Sequence, residues 1–83
     1  MADQDTVTTR TEVAIRRACG ISETADLPPD ARLWEMGMDS LRLVELVTAL
    51  EDELDFFFPN EYLTGDTFAT VESTLEVVRR FAT

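Results

Sequence analysis

Histidine and lysine are absent from this 83-residue chain, and cysteine occurs once. The lack of histidine removes the commonest general base and the commonest neutral metal ligand. One cysteine excludes an internal disulfide and a cysteine-built metal cluster. All seven basic residues are arginines, set against 17 acids, and the formal charge is −10. Such a chain repels nucleic acid and anionic membrane surfaces, and its field steers partners with basic patches toward it. No apolar run approaches membrane-spanning length. Met1-Ala2-Asp3-Gln4-Asp5 is acidic and lacks the apolar region of a signal peptide. The acids also lack the D-x-D-x-D-G spacing of a calcium loop. Catalysis by the polypeptide itself is therefore not expected. The expectation is one small domain over residues 1–83, monomeric and cytoplasmic, with residues 1–5 as a flexible acidic start.

What is present is helical. Thr9-Arg10-Thr11-Glu12 fits a capping box and predicts a first helix starting near Thr6 to Thr9. Val7, Thr11, Ala14, Ile15 and Ala18 form its apolar face, and Gly20 is its stop. Residues 21–38 form a long connection around Pro28-Pro29, with Leu27, Leu33, Trp34 and Met36 as anchors onto the core. Leu43, Leu46, Val47, Leu50 and Leu54 make a continuous stripe on a second helix, Leu41 to Leu54, which Asp39 can cap. Asn60 can cap a short helix over Glu61 to Leu63. Thr67 or Thr70 caps the last helix, whose apolar set is Val71, Leu75, Val77, Val78 and Phe81. Arg79 and Arg80 complement its dipole. No segment alternates as a strand does. The fold class is all-α: a small bundle of three main helices and one short helix, with a long first loop.

Ser40 stands at the mouth of the second helix. A helix N-terminus offers free N–H groups and partial positive charge, which suit a phosphate ester. The bland alternative is a capping serine. Glu51-Asp52-Glu53 place negative charge near the helix C-terminus, where the dipole disfavours it. That pattern points to a partner rather than to stability, the alternative being a solvated face. Leu41, Val44, Glu45, Thr48, Glu51 and Asp52 share the face opposite the core stripe and form an apolar contact framed by acids, a candidate docking face. Arg42 either pairs with Glu45 or tunes partner choice by repulsion. Phe57 is either packed under its loop or an exposed contact. Trp34, Phe68 and Cys19 read as core residues.

Leu33-Trp34-Glu35-Met36-Gly37-Met38-Asp39-Ser40-Leu41 resembles the L-x-x-L/M-G-x-D-S-L stretch of carrier proteins, the acyl carrier and peptidyl carrier family. Val44-Glu45-Leu46-Val47, Leu50 to Leu54, Phe56-Phe57-Phe58-Pro59 and Phe68-Ala69-Thr70-Val71 extend the likeness over most of residues 30–80. Arg42, Thr48 and Phe57 depart from the pattern of fatty-acid-type carriers. The resemblance implies that Ser40 bears covalent 4′-phosphopantetheine from coenzyme A, added by a phosphopantetheinyl transferase, with Asp39 in support. It implies no catalytic or metal-ligating residue. Acyltransferase, adenylating enzyme or ketosynthase partners would dock through basic patches. The implied role is a discrete acyl carrier that holds thioesters, in polyketide-type secondary metabolism. The alternatives are a stand-alone aminoacyl or peptidyl carrier loaded by an adenylating enzyme and, from a different class, an unmodified acidic helical adaptor.

Overall fold

The computed structural model describes residues 4–82. Three α-helices follow in order: α1 (Gln4–Cys19), α2 (Ser40–Leu54) and α3 (Val71–Phe81), with α1 packed against both others. Short 3-10 turns occupy Leu33–Glu35 and Asn60–Tyr62. Among the described residues the only β-type pairing is an isolated antiparallel bridge between Arg32 and Thr70.

α1 starts earlier than its sequence signal. Thr9 and Glu12 lie inside the helix, where backbone N–H groups already have partners one turn back, so they form no capping box. Asp5 supplies the acid of the first turn instead. The expected flexible start is thus helical at Gln4 and Asp5, and residues 1–3 lie outside the described residues. Gly20 ends the helix as expected, with φ +70°. Its N–H reaches the Arg17 carbonyl at 3.2 Å and that of Ile21 reaches Arg16 at 3.0 Å, a Schellman closure.

The long first connection is stitched to the start of α3. Helix N-terminal N–H groups lack intrahelical partners. The loop supplies two: Val71 N–H donates to the Ala31 carbonyl at 3.0 Å and Glu72 N–H to Pro29 at 2.8 Å. Thr70 supplies the third, accepting the Ser73 N–H on its hydroxyl at 3.0 Å, while Ser73 Oγ accepts the Thr70 N–H at 3.0 Å. Thr70 is therefore the cap, and Thr67 sits in the preceding turn, accepting Thr74 Oγ1–H on its carbonyl at 3.2 Å.

The core gathers Val7, Ile15, Leu33, Leu46, Leu50, Phe68, Val71 and Val78, all nearly sealed from solvent. Phe58 bridges the rings of Phe56 and Phe68, with centroids at 4.8 and 5.5 Å. Leu43 and Val47, the flanks of the α2 stripe, are only partly buried. Trp34 departs from its expected place in the core and is 45% exposed. The 3-10 turn explains this: three residues per turn put Leu33 and Met36 on the inner side and turn Trp34 outward. Asn60 opens its turn without a side-chain cap, because Pro59 occupies the capping position.

Candidate functional site

Asp39, not Ser40, caps α2. The Asp39 backbone is extended, and its Oδ1 accepts the Arg42 N–H at 2.8 Å. Its carbonyl takes the Leu43 N–H at 2.8 Å. Ser40 thereby becomes the first helical residue, one position earlier than the sequence suggested, and is exposed. Among the described residues its hydroxyl has no hydrogen-bond partner within the chain. The N–H groups of Ser40 and Leu41 lie at the open end of the helix.

The loop before Ser40 is pinned from behind. Met38 is buried, and its N–H donates to the Leu33 carbonyl at 3.2 Å. Gly37 has φ +106°, and a Cβ there would lie 3.1 Å from the Cys19 carbonyl oxygen. Only glycine fits so close an approach at that φ. The end of α1 thus serves as the seat for the Gly37-Met38-Asp39 loop. Cys19 is buried in that seat. Burial pushes its thiol up, and the nearby Arg42 charge opposes this to a lesser degree.

Arg42 does not meet Glu45. Its Nε lies 3.8 Å from Asp39 Oδ2, and its Nη1 donates to the Ala18 carbonyl at 3.4 Å. The charge is turned toward the end of α1.

The expected docking face divides. Leu41 and Val44 are 70% and 62% exposed, flanked by exposed Glu45, Thr48 and Asp52. Glu51 is partly buried instead, and its Oε2 accepts the Phe58 N–H at 2.9 Å. Phe57 is 82% exposed, which settles its open placement. Phe56 and Phe58 turn inward on either side of it.

Beside the exposed face runs an apolar groove of about 310 Å³, lined by Leu43, Val44, Val47, Thr48, Leu63 and Phe68. The sequence reading missed Leu63 as a wall of this groove. It follows a single 3-10 turn, which is too short to show a periodic face. Leu43 and Val47 were legible as apolar, but not as groove walls.

The structure thus sets an exposed serine hydroxyl at the first turn of an acidic helix, in a small three-helix bundle with an apolar groove alongside. The chain belongs to the phosphopantetheine attachment site family, whose model matches residues 12–78. It is 49% identical over 65 residues to an acyl carrier protein of Saccharopolyspora erythraea, covering 76% of this chain and 63% of that protein. It is 40% identical over 52 residues to aminoacyl carrier protein 1 of Bradyrhizobium diazoefficiens, covering 63% of this chain and 57% of that one. The matches thus span less than two thirds of these relatives' length. Among solved structures it is similar to a chain in Bradyrhizobium japonicum glycine:[carrier protein] ligase complexed with glycylated carrier protein. The TM-score is 0.72 and the identity 28%, over 86% of this chain and 97% of that one.

The family's domain is the site of covalent phosphopantetheine attachment and carries substrates rather than transforming them. This chain fits that group. Its hydroxyl is exposed and free of capping duty, and the adjoining helix end favours a phosphate. No helix among the described residues is long and apolar enough to cross a membrane.

Proposed function

We propose that Ser40 is the attachment residue and that the chain presents acyl groups to partner enzymes in polyketide-type assembly. The observation that carries the reading is the division of labour at α2: Asp39 takes the cap and leaves the Ser40 hydroxyl exposed. In the attachment step a separate transferase joins Ser40 Oγ to the β-phosphorus of coenzyme A. The bond to 3′,5′-ADP breaks, and the hydroxyl proton leaves to a base of the transferase. When bound, the arm supplies a terminal thiol that holds its cargo as a thioester.

The chain's own residues do the rest. Asp39 holds the helix start, Met38 and Gly37 anchor the loop, and the unpaired N–H groups of Ser40 and Leu41 at the helix start would favour the ester phosphate. Leu41 and Val44, framed by Glu45, Thr48 and Asp52, form the docking face for basic partner surfaces. The acyl setting is supported by 49% identity to an acyl carrier protein and by Gly37-Met38-Asp39-Ser40, which lacks the paired glycine of many peptidyl carriers. A second reading, an aminoacyl carrier loaded by an adenylating ligase, is favoured by the structural likeness to the chain from the glycine ligase complex.

Intact mass after incubation with coenzyme A and a broad-specificity transferase tests the attachment. The expected result is a gain of one phosphopantetheine, lost in Ser40→Ala. No gain on a folded chain would refute the reading and favour the unmodified adaptor. Loading of the modified chain by malonyl-type transferases, against adenylating enzymes, then decides between the two cargoes.

A further inference from the structure

Two arginines strap α1 to α2, one at each end. Arg10, on α1, donates from Nη1 to the Glu53 carbonyl in the last turn of α2, at 3.3 Å. Arg42, in the first turn of α2, donates from Nη1 to the Ala18 carbonyl in the last turn of α1, at 3.4 Å. Each guanidinium therefore sits at the negative end of the opposite helix. The two straps are matched in geometry but not in what they adjoin.

Arg42 does more than cross between helices. Its backbone N–H holds Asp39 Oδ1 at 2.8 Å, and its guanidinium approaches Oδ2 with Nε at 3.8 Å. One residue thus grips the capping carboxylate from both sides while reaching the end of α1. The carbonyls of that end are shared out in order. Arg16 and Arg17 take the N–H groups of Ile21 and Gly20, and Ala18 takes Arg42. The Cys19 oxygen faces Gly37 in the loop that leads to Ser40. Arg42 Nη1 also lies 3.3 Å from where a Gly20 Cβ would stand, so the guanidinium is seated over the closure of α1.

We infer that Arg42 is a positioning residue for group transfer to Ser40, holding the Asp39 cap and the loop of residues 37–39 on the end of α1. The inference rests on Ser40 being the attachment residue. Ser40 lies between Asp39 and Arg42, the two partners of this clamp, so the clamp restricts how its backbone can turn. The exposed contact made by Leu41 and Val44 does not include the Arg42 guanidinium, which is directed at α1. Loss of the guanidinium keeps the backbone N–H on Asp39 Oδ1 but releases Oδ2 and the Ala18 carbonyl, so it loosens the loop on α1 and reaches turnover before it reaches docking.

The experiment measures steady-state transfer of phosphopantetheine from coenzyme A to wild type, Arg42→Ala, Arg42→Lys and Arg10→Ala, read by intact mass. Hydrogen exchange of the unmodified chains, followed at the amides of residues 37–41, accompanies it. Arg42→Ala is expected to lower kcat about threefold to tenfold with KM within about twofold. It is also expected to speed exchange at those amides. Arg42→Lys recovers part of the rate, because a single ammonium replaces a fork that serves two acceptors. Arg10→Ala cuts the matching strap at the far end and leaves both kcat and that exchange unchanged. An unmodified wild type would overturn the Ser40 reading itself. A modified wild type with unchanged kcat and exchange in Arg42→Ala would overturn this inference alone. An equal loss of kcat in Arg10→Ala would also overturn it, because the effect would then be general to helix packing.

Discussion

Glu51 and Phe58 are joined across the end of α2: the carboxylate accepts the Phe58 N–H at 2.9 Å. This bond fixes the segment that turns Phe56 and Phe58 into the core and leaves Phe57 outside. An acid that reads as partner-facing in the sequence thus holds a turn. Replacing Glu51 with Ala is expected to cost about 1–2 kcal/mol, while Asp52→Ala, on the exposed side, stays within about 0.5 kcal/mol. Urea unfolding of the two variants checks the difference.

The charge of the proposed docking face then rests on Glu45 and Asp52. Glu45→Arg and Asp52→Arg are expected to raise KM for a transferase or loading enzyme severalfold, with kcat little changed and with weaker dependence on salt. Steady-state kinetics at two ionic strengths would show it. An unchanged KM with every partner would remove this face from recognition.

Gly37 is the tightest point under the site. Gly37→Ala meets both the φ of +106° and the Cys19 carbonyl oxygen at 3.1 Å, and is expected to cost about 1–3 kcal/mol. The oxygen belongs to backbone and cannot swing away. Gly65→Ala is the control, since a Cβ there meets nothing within 4 Å. Thermal melting of the two variants compares them.

Thr11 is fully buried, and its hydroxyl has no partner among the described residues. Thr11→Val keeps the shape and removes the unsatisfied polar atom. It is expected to stabilise the chain by about 1 kcal/mol, which for a domain of this size raises Tm by roughly 4–8 °C. A lower Tm would show that the hydroxyl is satisfied in solution.

Cys19 contributes a pH dependence on the alkaline side. Its folded thiol is held above its ordinary value by burial, so the native chain keeps a proton that the unfolded chain gives up first. The stability this represents is complete below the unfolded pKa, about 8.5, and is lost as pH rises from there through the folded value. Urea midpoints between pH 7 and 10 are expected to fall more steeply for wild type than for Cys19→Ala. Alkylation of the native thiol is expected to be slow until the chain unfolds.

The helical class and the exposed serine that opens α2 were legible in the sequence because both are local. The α2 stripe repeats at helical spacing, Asp39 precedes it as a cap, and Gly20 sits where a left-handed residue must close α1. Ser40 carried its signal through the neighbours on either side, which are contiguous in the chain. The start of α1 was misplaced because Thr9-Arg10-Thr11-Glu12 has the composition of a capping box, and composition does not say whether a preceding turn already satisfies those N–H groups. Trp34 was misplaced because a 3-10 turn rotates side chains differently from the helix that apolar spacing assumes.

By itself the sequence determined the helices, the acidic balance and the serine at the head of α2, since periodicity, charge and capping chemistry act between residues close along the chain. Only the tertiary structure decided that Arg42 turns toward Ala18 and Asp39 rather than Glu45. The same holds for Glu51 gripping Phe58, and for Leu63 facing Leu43 and Val47 across a groove. Those partners are brought together by the packing of α1, α2 and the loops around them. A side chain with several reachable acceptors takes the one that the packed backbone leaves unpaired.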